Sequence, residues 1–242
     1  MAMLQNPTNP LNNKLLSALP AAMYERLLPH LQLIAMSRGQ TLYEAGERLE
    51  HVYFPINAIV SLLNVLENGT SGEIAVIGNE GIVGIALFLG DPTMPTRAVV
   101  QSAGYGYRLT GHLFKEECAH SMPLQQLLLR YTAALLTQMG QTAACNRHHS
   151  VDQQLCRRLL LSLDRLPSNE LDMTQQLIAK SLGVRREGVS EAAGKLQHAG
   201  LIRYRRGHIT VLDRRGLEAR ACECYQVVRK ECCRLLPAAL AH

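Results

Sequence analysis

Apolar residues are spaced in different ways along the chain, and these changes divide it into parts. Residues 11–34 have helical spacing interrupted by Pro20 and Pro29, which predicts short helices. From residue 35 to about 115 the apolar residues form short, β-branched runs separated by Gly, Asn, Asp or Pro, a pattern typical of an all-β sandwich or barrel. The runs predicted as strands are QTLYEAGE, HVYFP, AIVSLLNV, GEIAVIG, EGIVGIAL and RAVVQS.

A single long helix is predicted from about residue 113 to 147. One set of its positions, apolar at first and polar later, is spaced alternately by four and three residues over three heptads, which favours a helix that pairs with another helix. Packing of the same face on the chain's own barrel is the alternative. We therefore predict a dimerisation helix whose contact face is formed by Leu124, Leu128, Tyr131 and Leu135.

The last third of the chain has the pattern of two short helices, a tight turn between them and a following β-hairpin. Ser150 with Gln153 forms a predicted capping box that begins this part. Thr174 is a candidate N-cap of the helix TQQLIAKSL, and Gly183 and Gly200 are candidate C-terminal glycines of this helix and the next. The segment LIRYRRGHITVL predicts the basic hairpin, so the whole pattern indicates a winged helix-turn-helix.

The patterns predict an α+β protein with three parts. An antiparallel β-barrel occupies residues 1–112, a long dimerisation helix and hinge residues 113–149, and a winged helix-turn-helix domain with a C-terminal helix residues 150–242. A length of 242 residues suits one large domain or two ordinary ones. No run reaches the roughly 18 apolar residues of a membrane span, and no secretion signal is recognised, so no membrane partner is expected.

The net charge of +5 is distributed unevenly. Residues 1–149 carry a net charge of −1, whereas residues 150–242 carry 16 basic and 10 acidic residues, a net charge of +6. A basic C-terminal part is compatible with a polyanionic partner, but charge alone favours a solvated basic surface. The seven cysteines are an odd number without the spacing of a disulfide framework, which favours a reducing cytoplasm.

The second helix of the motif, residues 185–199, is predicted to enter the major groove of double-stranded DNA. Its apolar side is formed by Val189, Ala192, Ala193 and Leu196 and should face the domain core. Its polar side suits base contacts, because arginine donates to guanine and glutamate accepts from cytosine. The predicted base-contacting residues are Arg186, Glu187, Ser190 and Glu191. The predicted phosphate-contacting residues are Arg185, Lys195, Arg203, Arg205 and Arg206.

The stretch TQQLIAKSLGVRREGVSEAAGKLQHAGLI resembles the helix-turn-helix of the Crp/Fnr superfamily of bacterial transcription regulators. RGQTLYEAGE resembles the first strand and glycine turn of the family's barrel, and the resemblance covers almost the whole chain. It implies a jelly-roll barrel like a cyclic-nucleotide-binding domain, a homodimer on a roughly palindromic DNA site, and RNA polymerase as a further candidate partner.

Individual residues both match and depart from the family pattern. Arg186 and Glu187 match the family's base-contacting arginine and glutamate, and Ser190 stands where one branch has a serine. Gly188 departs from a position that often holds Thr or Ser, and Glu191 departs from one that commonly holds Arg. The DNA target is therefore expected to differ from those of other members.

The predicted effector pocket departs from the family's cyclic-nucleotide site. In GIVGIALFLGDPTMPTRAVVQ, Gly84 is retained, but Ile85 stands in place of the ribose-binding glutamate. Thr96 and Arg97 stand where the phosphate-binding arginine and its neighbour are expected, with the arginine displaced by one residue. Such a shift in a strand turns a side chain to the opposite face. We therefore expect an effector other than cyclic AMP, or a filled barrel.

Metal and cofactor sites are harder to assign. The oxygen-sensing branch of the superfamily holds an iron–sulfur cluster on N-terminal cysteines, but the first cysteine here is Cys118, so no such cluster is expected and the cofactor stays undetermined. Cys145, His148 and His149 fall on one face of a helix end and suit zinc, but a fourth ligand is missing. A polar hinge face without metal is favoured.

The predicted C-terminal helix carries Cys222, Cys224, Cys232 and Cys233. On an α-helix Cys222 and Cys224 point about 200° apart, so they are not expected to bind one metal together. We favour packing roles and predict no metal site, with a thiol- or metal-responsive regulator as the alternative. A second alternative is an interaction module of the same fold that does not bind DNA. No catalytic arrangement is recognised, so no enzyme is predicted.

Overall fold

The computed structural model describes residues 8–236 and has the predicted order of barrel, long helix and winged helix-turn-helix. The N-terminal segment forms the helices α1 (Lys14–Ser17) and α2 (Ala21–Leu27), with 3-10 turns at Pro10–Asn12 and Leu28–His30. Asn13 caps α1, and its side-chain amide donates to the carbonyls of Pro55 and Gly81, both at 2.9 Å. Within the described range, no helix combines the length and apolar character needed to cross a bilayer.

Two antiparallel sheets form the barrel. Its strands are β1 (Gln32–Met36), β2 (Thr41–Tyr43), β3 (His51–Pro55), β4 (Ile59–Val65), β5 (Ser71–Ile77), β6 (Thr96–Ser102) and β7 (Gly104–Thr110). One sheet has the order β1-β7-β3 and the other the order β2-β6-β4-β5. Alternating side chains of both sheets fill the interior, as the fully buried Val52, Ala98 and Leu109 illustrate. The α+β fold class is thus as predicted.

Three parts of the barrel differ from the sequence-based prediction. EGIVGIAL is not a strand, because Val83 makes only a single bridge to Tyr53 before the short helix α3 (Ala86–Leu89) begins. Strands β1 and β7 were not predicted. Glycine is a poor strand former, but β7 needs it, since a Cβ on Gly104 would lie 2.6 Å from the carbonyl oxygen of Asn57.

The predicted single long helix is two helices, α4 (Gly111–His120) and α5 (Met122–His148). The break falls at Ser121, whose side chain accepts a hydrogen bond from the backbone of Leu124 at 3.4 Å. Pro123 explains the break, because proline has no N–H to donate and fits only the first turn of a helix.

The predicted dimer-contact face of α5 lies against the chain's own barrel. Leu124, Leu128, Tyr131 and Leu135 are all at least 93% buried within one chain. The hydroxyl of Tyr131 donates to the carbonyl of Ile82 at 3.0 Å. The assignment of these four residues to a dimer interface is therefore wrong. A seven-residue apolar repeat can be buried by the surface of a barrel just as it can be buried by a second helix.

The C-terminal part is a winged helix-turn-helix followed by two helices. Its elements are α6 (Val151–Leu163), β8 (Glu170–Asp172), α7 (Gln175–Leu182), α8 (Arg186–His198), β9 (Ile202–Arg205), β10 (His208–Val211), α9 (Arg214–Arg220) and α10 (Glu223–Leu235). The strands form one sheet in the order β8-β10-β9. The capping box of Ser150 and Gln153 is present at the start of α6, as predicted. Neither β8 nor α9 was predicted.

The barrel and the winged helix-turn-helix share a buried contact. Ile59 and Val76 of the barrel belong to the same apolar cluster as the core of the C-terminal part. Arg158 of α6 pairs with Glu73 of β5 at 2.6 Å, and both side chains are almost fully buried. Burial raises the pKa of Glu73, and the charge of Arg158 opposes that rise. The two domains are thus joined by polar as well as apolar contacts.

Candidate nucleic-acid interface

The helix-turn-helix is formed as its sequence predicted. Thr174 caps α7 by accepting a hydrogen bond from the backbone of Leu177 at 3.2 Å. Gly183 ends α7 in the left-handed conformation, with φ of +68°, and α8 begins three residues later. The apolar side of α8 is buried, as expected, and consists of Val189, Ala192, Ala193 and Leu196. The opposite side of α8 is therefore presented to solvent.

An open groove of about 600 Å³ lies between α8, the first turn of α7 and the β9–β10 hairpin. From α8 it is lined by Arg186, Ser190 and Gly194 among others. The remaining lining residues come from the start of α7 and from the hairpin: Thr174, Gln175, Gln176, Tyr204, Arg206 and Gly207. The groove thus brings three of the predicted DNA contacts, Arg186, Ser190 and Arg206, to one concave surface.

Two exposed arginines line the groove, Arg186 and Arg206, and three further exposed arginines belong to the start of α8 and to the hairpin: Arg185, Arg203 and Arg205. In the described range 8–236, none of them forms an ion pair with a carboxylate. The hairpin turn has φ of +49° at Arg206 and +88° at Gly207, as in a two-residue turn with two left-handed positions. The guanidinium groups of the five arginines are therefore free to contact an anionic partner.

Lys195 and Glu191 contact each other instead of remaining free. The ammonium of Lys195 lies 2.9 Å from a carboxylate oxygen of Glu191 and 3.4 Å from one of Asp152 in α6. The hydrogen bond that Lys195 donates to Glu191, supported by the one that it donates to Asp152, raises the pKa of Lys195. The predicted phosphate contact and the predicted base contact at these positions are thus paired with each other in the free protein.

The first turn of α7 contributes groove residues that sequence reasoning missed. Gln175 accepts a hydrogen bond from the hydroxyl of Ser190 at 2.7 Å and so fixes a predicted base-contacting side chain. Gln197 of α8 accepts from the backbone of Tyr204 at 2.8 Å and joins the hairpin to α8. A sequence signal was present, because two glutamines follow the cap Thr174 directly, but only the fold shows that they face α8.

The four predicted effector-pocket residues do not form a common polar site. Gly84 precedes α3, and Ile85 and Thr96 are 96% and 97% buried. Arg97 lies on the outer face of β6, as its register predicted, and its guanidinium is 3.2 Å from the carboxylate of Glu44. An anion inside the barrel would therefore not meet Arg97, and the assignment of this residue to the pocket is wrong.

Two family profiles match separate parts of the chain. The profile of the cyclic nucleotide-binding domain matches residues 33–121, which contain the barrel and α4. The profile of the Crp-like helix-turn-helix domain matches residues 153–220, which contain the groove. Together they cover well over half of the sequence, in the order in which the structure has the two domains.

Similar proteins align over most of the chain at low identity. The CRP-like cAMP-activated global transcriptional regulator of Mycobacterium tuberculosis is 23% identical over 203 residues, which cover 81% of this chain and 90% of that protein. The global nitrogen regulator of Synechococcus elongatus is 22% identical over 192 residues, which cover 76% and 86%. The structure of FixK2 from Bradyrhizobium japonicum superposes with a TM-score of 0.66 at 17% identity, covering 79% of this chain and 98% of that one.

Proposed function

The chain belongs to the Crp/Fnr superfamily of transcription regulators, and we propose that it acts as a homodimer on a roughly palindromic DNA site. In this proposal the α8 helix of each subunit enters a major groove, and the β9–β10 hairpin contacts the adjacent backbone. Two recognition helices then lie about 34 Å, or one DNA turn, apart. All seven cysteines are free thiols, which is consistent with work in a reducing cytoplasm.

The free arginines around the groove carry the proposal. Phosphate contacts supply most of the affinity of a DNA-binding protein and need cations that are not already neutralised. Arg203, Arg205 and Arg206 of the hairpin and Arg185 at the start of α8 are exposed and without carboxylate partners in the described chain. These four arginines are proposed to contact phosphates. They position α8 without specifying the DNA sequence.

Sequence-specific contacts are proposed for the exposed side of α8. Arg186 lines the groove and has no ion-pair partner in the described chain, so its fork can donate to a guanine. Glu187 in the same first turn is exposed and can accept from a cytosine. The hydroxyl of Ser190 already donates a hydrogen bond to Gln175, so a contact of Ser190 with DNA shares this hydroxyl between the two. Glu191 contacts a base only if its pair with Lys195 opens.

The dimer is proposed to form through the face of α5 opposite to the barrel. This exposed face repeats every seven residues and consists of Met122, Leu129, Ala133, Leu136, Gly140 and Ala143. Leu129 and Leu136 are 57% and 63% exposed, although leucine is usually buried. A seven-residue apolar repeat on a long helix fits a second copy of the same helix, with small residues at the close-approach positions.

The barrel is proposed to respond to an effector other than cyclic AMP, or to act only as a scaffold. The position that resembles the ribose-binding glutamate is the buried Ile85. The nearby arginine, Arg97, is turned outward and paired with Glu44. An interior of this kind suits an apolar ligand or none, because a buried cyclic phosphate would lack a cationic partner there.

Genome-wide footprinting of bound DNA, with the wild type and with Arg186→Ala and Glu187→Ala, tests the base contacts. Each variant should weaken specific binding by about 1–3 kcal/mol and relax one position of the bound motif. Arg234→Ala removes an exposed arginine of α10 instead and should leave the motif unchanged. A motif that is unaltered in either test variant contradicts the assigned contact.

Salt dependence tests DNA binding itself. Affinity for the recovered site should fall steeply as salt rises, because phosphate contacts release counterions. Weak binding with no salt dependence and no preferred sequence would instead support a protein-interaction module of the same fold.

A further inference from the structure

Four metal-ligating side chains converge where the end of α5 meets the start of α10. The sulfurs of Cys145 and Cys222 are 3.5 Å apart, and the sulfur of Cys224 is 3.6 Å from Nδ1 of His149. All four ligand atoms lie within 4.8 Å of one another. Tetrahedral zinc, with Zn–S bonds of about 2.3 Å, separates two sulfur ligands by about 3.8 Å. The four atoms therefore already have nearly the spacing of a tetrahedral coordination shell.

The backbone explains why Cys222 and Cys224 converge although their helical positions would point apart. Cys222 is not helical, since it caps α10 with an extended backbone, φ −74° and ψ 166°. The helical rotation that would turn its side chain away from that of Cys224 therefore does not apply to Cys222. Cys145 and His149 approach from the other side, four residues apart at the end of α5. The expectation that this cysteine pair could not share a metal is wrong for that reason.

The only histidine in the group is oriented as a zinc ligand usually is. Nδ1 of His149 faces Cys224, while its Nε2 lies 3.4 Å from a carboxylate oxygen of Glu223. A histidine ligand commonly donates its second ring nitrogen to a carboxylate, which fixes the ring and strengthens the ligand. Glu223 stands between the two cysteines in sequence, so one short segment supplies two ligands and this partner.

A buried cation next to the group forms no ion pair within the described residues 8–236. Arg157 is 97% buried, and its side chain makes a single hydrogen bond, to Thr142 at 3.3 Å. Its Nε is without a partner in the described structure. Three thiolates and one Zn²⁺ have a net charge of −1, which Arg157 would offset.

We propose that Cys145, His149, Cys222 and Cys224 bind one Zn²⁺ as a structural site. Four protein ligands leave no open position for a substrate or water, and the three cysteines are at least 97% buried. The metal joins the end of α5, the hinge before α6 and the first turn of α10. It therefore fixes the C-terminal helix against the hinge between the two domains. Binding requires neither DNA nor a barrel ligand and is independent of the proposed function.

Metal analysis of the purified full-length protein tests the site. Protein kept reduced and produced with zinc should retain about one Zn²⁺ per chain. Replacement by Co²⁺ should give the absorption of tetrahedral cobalt with thiolate charge-transfer bands. The double variant Cys222→Ser/Cys224→Ser should lose both properties. Cys118→Ser, which changes a buried cysteine of α4, and Cys233→Ser, which changes an exposed one, should retain them.

Glu223→Gln provides a test that does not depend on a core substitution. Its side chain is 74% exposed, so the fold should be unaffected. Loss of the carboxylate behind His149 should weaken zinc affinity about 10- to 100-fold in competition with a chelator. The proposal is overturned if the reduced protein binds no zinc, if the double cysteine variant binds as much as the wild type, or if Co²⁺ is octahedral. A Cys145–Cys222 disulfide in place of the metal would overturn it as well.

Discussion

At the scale of single residues, some charged side chains of α8 have no ion-pair partner in the described chain, whereas others are paired with each other. Arg186 and Glu187 in its first turn are exposed and make no ion pair within the described chain, whereas Glu191 and Lys195 neutralise each other. A carboxylate close to the DNA backbone repels phosphate. The pair with Lys195 reduces that repulsion, and it also occupies a cation that could otherwise contact DNA.

Glu191→Gln should therefore increase DNA affinity. The substitution removes a negative charge and leaves Lys195 only its longer pair with Asp152, so Lys195 can turn to a phosphate and log K against log salt should become steeper by about one unit. Fluorescence anisotropy at several salt concentrations measures both quantities. Glu231→Gln breaks a comparable pair, with Arg234 on α10, and should change neither. Weaker binding that is confined to sites with one particular base would show that Glu191 contacts that base.

At the scale of elements, α5 has two apolar faces, of which one packs on the barrel and the other is exposed. One face packs on the barrel through Leu128 and Tyr131. The other exposes Leu129 and Leu136 to solvent and repeats with the same seven-residue period. Both faces give the same periodicity in the sequence, and only the position of the barrel distinguishes them.

Leu129→Asp and Leu136→Asp should convert the proposed dimer to monomers. Burying one leucine contributes about 1.5–3 kcal/mol, so each change should raise the dimer dissociation constant by more than about tenfold. Sedimentation equilibrium measures this constant directly. Leu66→Asp, at a residue that is 59% exposed in the turn between β4 and β5, is the matched control and should leave assembly unchanged. A wild type that is monomeric, or variants that remain dimeric, would contradict the proposed interface.

At the scale of the whole molecule, the two domains are held together by charges that are out of contact with water. Arg158 donates to Glu73 and also contacts Gln101 of β6. Arg165 pairs with Glu80 at 2.8 Å on the same side of the barrel. Buried pairs cost desolvation when they form, and breaking one leaves an uncompensated charge. They favour one specific arrangement of the domains.

Arg158→Ala should lower the free energy of unfolding by about 3–5 kcal/mol, because Glu73 is left buried without its partner. Burial already raises the pKa of Glu73. The loss should therefore be smallest at acid pH, where the carboxyl is protonated, and should grow as pH rises through that raised pKa. Denaturant titrations at several pH values measure it. Arg26→Ala, at an exposed pair with Glu117, should have little effect, and an equal loss in both variants would contradict the argument.

The recognition motif was predictable because its determinants are local. The cap at Thr174, the left-handed Gly183 and the apolar face through Val189 each depend on residues a few positions apart. Strands β1 and β7 were missed because the contacts that justify them are not local. Gly104 in β7 is required only by the approach of Asn57, which is distant in sequence.

The sequence by itself determined the order of the domains, the winged helix-turn-helix and the division of α8 into a buried and an exposed side. These follow from periodicity, capping and charge, which act over one or two helical turns. The tertiary structure decided which face of α5 meets the barrel, that Arg97 pairs with Glu44, and that Cys145 meets Cys222. The physical reason is the same in each case. Contacts between distant segments depend on how the elements pack, and the extended backbone at Cys222 changes the direction of a side chain that helical periodicity alone would place elsewhere.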